Sequence, residues 1–179
     1  MKYKFGILAC KLDLNKNNKW IRACKSLGHD YRLFDLSSGN WLKKIKNSKS
    51  DFFLLRPPGN LSYLKKMYDE RIYVISEILN YKIYPGYLET FIFENKRFLN
   101  YYLKSQNIPH PETFVFYSRK RSLDFSKNCQ LPLVAKSNIG ASGSGVKIIN
   151  NRKKLQNYIK IAFSKGIKRV YDTIYQLRK

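Results

Sequence analysis

The residues best suited to chemistry lie together in LPLVAKSNIGASGSGVKIINN, residues 131–151. Two apolar runs bracket a turn of glycine and serine, and Lys136 closes the first run. Gly140, Gly143 and Gly145 permit positive φ and close backbone approach, so successive N–H groups can turn toward one anion. Ser142 and Ser144 would add hydroxyl donors, with Ala141 completing the loop. Lys136 can supply a point charge to phosphate oxygens. The chemistry so described is anion binding. The same composition also suits an idle Gly/Ser hairpin with a solvated lysine beside it.

Other reactive side chains are isolated. His29 and His110 have no carboxylate or cysteine partner nearby in sequence and read as surface or loop histidines. Cys10, Cys24 and Cys129 lack metal-ligand spacing, and their odd number points to a reduced, cytoplasmic setting. Arg56, at the end of DFFLLR, is either an anion contact or a solvated arginine. No catalytic residue and no metal ligand can be named. The apolar run at residues 5–9 is shorter than the ~7–15 residues of a signal-peptide core. None approaches the ~18 of a membrane helix, so a soluble chain is expected.

The elements that must position these residues follow from apolar periodicity. YKFGILAC, DYRLFDL, DFFLLR and a short run around Ile83 read as strands. NKNNKWIRACKSLGH reads as a helix with Trp20, Ile21, Cys24 and Leu27 on one face and Gly28 closing it. SSGNWLKKIKNS reads as a short serine-capped helix, and a long helix is expected at about residues 61–81. This alternation predicts a parallel α/β sheet over residues 1–86. Its ligand edge would carry residues 10–13, 35–38 and 56–59. The first βα turn, CKLDLNKNN, has no glycine, so a dinucleotide fingerprint is absent and Asp35 loses its context as a ribose ligand.

After Pro85-Gly86 the pattern becomes α+β, over residues 87–179. A helix with Phe98, Leu99, Tyr102 and Leu103 as its stripe should stop at NIPHP. ETFVFY reads as a strand, and SRKRSLDFSKNC as helical or irregular. LPLVAKS and GVKIINN should flank the glycine loop as strands. NRKKLQNYIKIAFSKG should close the unit as a helix with Leu155, Tyr158, Ile159 and Ala162 inward. Most tyrosines fall at helix or strand spacing and read as packing residues.

The 35 basic and 12 acidic residues give a net charge of +23. Such a chain attracts anions without naming one; nucleic acid, an anionic membrane surface and a nucleotide all fit. The basic clusters at residues 43–49, 119–121, 152–154 and 165–169 are scattered in sequence, and no zinc-finger, RNA-recognition or helix-turn-helix signature accompanies them.

The segment ENKRFLNYYLKSQNIPHPETFVF followed by LPLVAKSNIGASGSGVKIINN resembles the nucleotide-binding subdomain of the ATP-grasp superfamily, nearest its RimK-like and glutathione-synthase-like ligases. Asn95-Lys96 stands where that family has Asp-Lys, NIPHPETF matches its helix exit, and LPLVAKS its second strand, with Ser137 where proline is usual. GASGSGV matches its loop, with Ser144 in place of a frequent basic residue. The resemblance covers about residues 84–166, and the preceding α/β unit is similar to a pre-ATP-grasp domain.

That resemblance implies an ATP-binding ligase with magnesium. It would form an acyl-phosphate from a small carboxylate substrate for attack by an amine. By matching position, Lys96, Lys136 and residues 140–145 would bind ATP phosphates, and Arg56 is a weak candidate for the substrate. The family's magnesium carboxylates lie in a second subdomain. From residue 125 onward the only acidic residue is Asp172, so the metal-binding half is expected to be missing. The chain then reads as truncated and inactive alone: a fragment, a truncated reading frame, or half of a split enzyme that a C-terminal half would complement. The competing readings are a basic nucleic-acid-binding module, supported by charge alone and not favoured, and a non-catalytic relic.

Overall fold

The computed structural model describes residues 2–10, 17–59, 61–140, 143, 145–164 and 166. The chain divides into two compact units, Met1–Phe93 and Glu94–Lys179.

In the first unit β1 (Lys4–Ala9), β2 (Asp30–Asp35), β3 (Phe52–Leu55) and β4 (Ile83–Tyr84) form one sheet in the order β2-β1-β3-β4. All its pairings are parallel, with Ile7 opposite Leu33 on one side and Leu54 on the other. The helices α1 (Asn18–Ser26), α2 (Trp41–Lys46), α3 (Ser62–Tyr73) and α4 (Tyr87–Ile92) accompany it. The central strands are apolar in succession because both faces are covered. On one face Ile7 and Leu54 pack with Cys24, Trp20 and Ile21 of α1. On the other, Leu8, Phe34 and Phe53 pack with Ile45 of α2 and Tyr68 and Ile72 of α3. Strand order therefore reverses between β1 and β3, the point where open α/β sheets place ligands.

Several details differ from the sequence reading. Leu27 is 70% exposed, because α1 ends one residue earlier and the backbone turns through Gly28 at φ +67°. Asn40, not a serine, precedes α2, and it makes no side-chain cap bond. The long helix is regular only to Tyr73 and continues as a π-helical turn, Val74–Ile78.

One feature of this unit is charged and buried. The Lys65 ammonium, 1% exposed, meets both Asp69 oxygens at 2.5 and 2.6 Å. It also donates to the carbonyls of Thr90 (3.1 Å) and Phe91 (3.4 Å) at the end of α4. A single side chain thus ties α3 to the helix that follows β4. Loss of water outweighs the pull of Lys65, so the Asp69 carboxyl is raised to about 6.

The second unit contains α5 (Lys96–Ser105), α6 (Arg119–Asn128), the hairpin β5 (Leu133–Lys136) and β6 (Val146–Ile149), and α7 (Arg152–Ala162). Its core joins Ile149, Leu155 and Ile159 with Leu123, Leu133, Ala135 and Tyr158. Asn151 caps α7 by accepting from the Lys154 N–H at 2.9 Å. The expected strand in ETFVFY does not form. Its aromatic residues instead pack on a helix, with Phe114 and Phe116 at 4.6 and 5.1 Å from the Phe125 ring of α6. On α5, Leu99 is exposed and Asn100 buried in its place. The helix ends at Ser105, before Pro109 can act: Asn107 takes φ 52° and the Ile108 N–H returns to Leu103 O at 2.9 Å.

Candidate functional site

The hairpin places the candidate residues. Val134 pairs with Ile148 and Lys136 with Val146. Directly opposed residues of an antiparallel pair share a face, and so do residues two apart on one strand. Val134, Lys136, Val146 and Ile148 therefore occupy one face of the hairpin. The opposite face turns Leu133, Ala135 and Ile149 into the core of the unit. The first face is open, with Ile148 72% exposed, and Lys136 also lies in water. Among the described residues the Lys136 ammonium has no hydrogen-bond or ion-pair partner.

Beyond Lys136 the hairpin closes through backbone bonds. The Ser137 N–H donates to Gly145 O at 3.0 Å and the Val146 N–H to Gly143 O at 3.1 Å. Gly143 and Gly145 sit at φ +75° and +78°, a region that side chains with a Cβ rarely enter. That is the physical reason for glycine at these two positions. Ala141, Ser142 and Ser144 lie outside the described residues.

The N-terminus of α5 is stitched to the same loop. The Lys96 N–H donates to Asn138 O (3.1 Å), the Arg97 N–H to Asn138 Oδ1 (2.9 Å) and the Phe98 N–H to Asn95 Oδ1 (3.3 Å). Asn95 also bridges to Ile139 across the backbone. These bonds engage the N–H groups that a helix start would otherwise offer an anion. Lys96 is part of the stitching as well: its ammonium donates to Gly140 O at 2.5 Å and pairs with Glu94 at 3.3 Å. Asn138 and the apolar hairpin face went unnoticed in the sequence reading. The face could have been found from the alternation in LVAK and VKII. The role of Asn138 depends on a contact about forty residues away in the chain and left no local signal.

In the first unit Arg56 directly follows β3, at the C-terminal end of that strand, and is exposed. Asp35 accepts from the N–H and hydroxyl of Ser37 at 2.8 and 2.5 Å, which makes it a turn residue. None of Cys10, Cys24 and Cys129 is in a disulfide. Among the described residues no three His, Cys, Asp or Glu side chains gather where they could hold a metal ion. No described helix is long and apolar enough to cross a membrane.

Compared with solved structures, the chain is similar to the RimK domain ATP-grasp protein of Sphaerobacter thermophilus, with a TM-score of 0.61 over 93% of this chain at 16% identity. The fold is that of the N-terminal part of an ATP-grasp protein. The alpha-aminoadipate–LysW ligase LysX of Saccharolobus solfataricus is 30% identical over 86 residues, 48% of this chain. The chain spans 61% of the solved ATP-grasp chain, and its match covers 30% of LysX. No family model matches the chain. The hairpin's unpartnered lysine and positive-φ glycines suit an anion, and among the described residues no three carboxylate, histidine or cysteine side chains gather where a magnesium ion could be held.

Proposed function

We propose that this chain is the ATP-binding part of a RimK-like ATP-grasp ligase, with residues 1–86 as a pre-ATP-grasp domain and residues 87–179 as the first nucleotide-binding subdomain. The observation that carries this reading is the single hairpin face holding Val134, Ile148, Val146 and Lys136. A nucleotide needs a flat apolar surface for its base and a cation for its phosphates, and this face offers both within one strand repeat. A bare phosphate site would need only the second. Lys136 holds the phosphates, beside the positive-φ glycines Gly143 and Gly145 of the turn. Lys96 braces the loop through its bond to Gly140 O and adds a second positive charge beside it.

The reaction served is formation of an acyl-phosphate from ATP and a small carboxylate, followed by attack of an amine. Arg56 is our candidate for the carboxylate contact. Magnesium would accompany the nucleotide, although the described residues gather no site for it. We assign binding of ATP, in the cytoplasm, to these residues, and phosphoryl transfer to the whole ligase.

The test compares ATP with tripolyphosphate by calorimetry. Replacing the apolar face in Val134→Ser/Ile148→Ser should weaken ATP by at least about tenfold, on the scale of one lost apolar side-chain contact, and leave tripolyphosphate unchanged. Equal loss for both ligands, or no preference for ATP in the wild type, would remove the base from the site.

A further inference from the structure

The second unit carries a surface that the nucleotide reading does not use. The extended segment at residues 113–117 runs between α5 and α6 and is fixed to both. The Lys104 ammonium of α5 donates to Thr113 O at 3.3 Å, and the Tyr101 and Tyr117 hydroxyls meet at 3.1 Å. Phe114 and Phe116 rest on Phe125 of α6. Bridging in this way leaves aromatic rings facing water. Tyr117 is 67% exposed, and Phe114 and Tyr101 are exposed beside it. Arg97 holds its guanidinium 5.1 Å from the centre of the Tyr117 ring. Directly after Tyr117, Ser118 caps α6 and the exposed Arg119, Lys120 and Arg121 form its first turn. Of the acids in this region, Asp124 is paired with Lys127 at 2.8 Å and Glu112 stands in solvent.

We propose that this surface binds single-stranded nucleic acid. Exposed aromatic rings interleaved with cations suit a ligand that alternates flat bases with phosphates. An acidic polypeptide would need the cations but would leave the tyrosines and Phe114 in water. The tyrosine pair is pre-organised by its mutual hydrogen bond, and Arg97 sets one cation against a ring where stacking and phosphate contact can occur together. The net charge of +23, well beyond what one nucleotide requires, then has a polyanion to act on. The surface is built from residues outside the hairpin face, so the proposal stands apart from the ATP reading.

The test is fluorescence anisotropy of a labelled single-stranded oligothymidylate across a salt series. Wild type should bind with an affinity that falls steeply as salt rises. Tyr101→Ala/Tyr117→Ala should weaken binding about tenfold or more, while Tyr101→Phe/Tyr117→Phe, which keeps the rings and loses only their mutual hydrogen bond, should retain most of it. Arg119→Ala/Lys120→Ala/Arg121→Ala should flatten the salt dependence; these side chains are in water, so the variant tests the surface even if the alanine pair misfolds. Unchanged affinity and salt slope in the charge variant would overturn the proposal. So would displacement of the oligonucleotide by polyglutamate at equal charge, which identifies an acidic protein, or by Mg-ATP, which identifies the hairpin site.

Discussion

Lys136→Ala is expected to lower affinity for ATP by roughly ten- to a hundredfold, the scale of one charge-assisted contact to phosphate. The fold should be untouched, because the Lys136 side chain lies in water on the open face of the hairpin. Lys147 supplies the control. It is exposed on the next strand, opposite Ala135, and strand alternation puts it on the other face. Lys147→Ala removes the same charge from the same hairpin and should leave ATP binding as it was. Calorimetry on the two variants separates a located phosphate contact from general attraction by a basic protein. If both variants weaken binding equally, Lys136 has no special place in the site.

Lys65→Met should destabilise the first unit by about 3–5 kcal/mol at neutral pH. It strands the Asp69 carboxylate and removes a donor from the carbonyls of Thr90 and Phe91. The pH dependence follows from the raised pKa of Asp69. With a folded value of about 6 against an ordinary 3.8, the folded protein holds this proton more tightly than the unfolded chain. The contribution of Asp69 to stability is therefore greatest at acid pH and is lost as pH rises from about 4 through 6. In Lys65→Met the carboxyl can take up that proton, so the damage should be smaller at pH 5 than at pH 7. Lys65→Met/Asp69→Leu, which removes both charges, should recover much of the loss. Denaturant midpoints at the two pH values decide this. A penalty that is the same at both would mean the ion pair is not what the substitution disturbs.

Much of this protein was legible in its sequence. Apolar runs of four to six residues separated by helical periods fix a parallel α/β unit, because strands buried on both faces need no alternation. The glycine loop between LVAK and VKII was legible for the opposite reason: glycine enters without steric cost the positive-φ region that Gly143 and Gly145 adopt. What composition could not decide was partnership. ETFVFY has the residues of a strand yet pairs with none, because its rings find a better surface on α6. Lys65 and Asp69 look like an ordinary exposed i,i+4 pair until the end of α4 closes over them. Asn138, unremarkable among loop residues, engages the start of α5 and so determines which donors remain for an anion. Local chemistry is written in neighbouring residues, and the sequence determined that much by itself. Which groups meet across forty residues, and which are left facing water, was decided only by the tertiary structure, because burial and hydrogen-bond partnership belong to the folded chain.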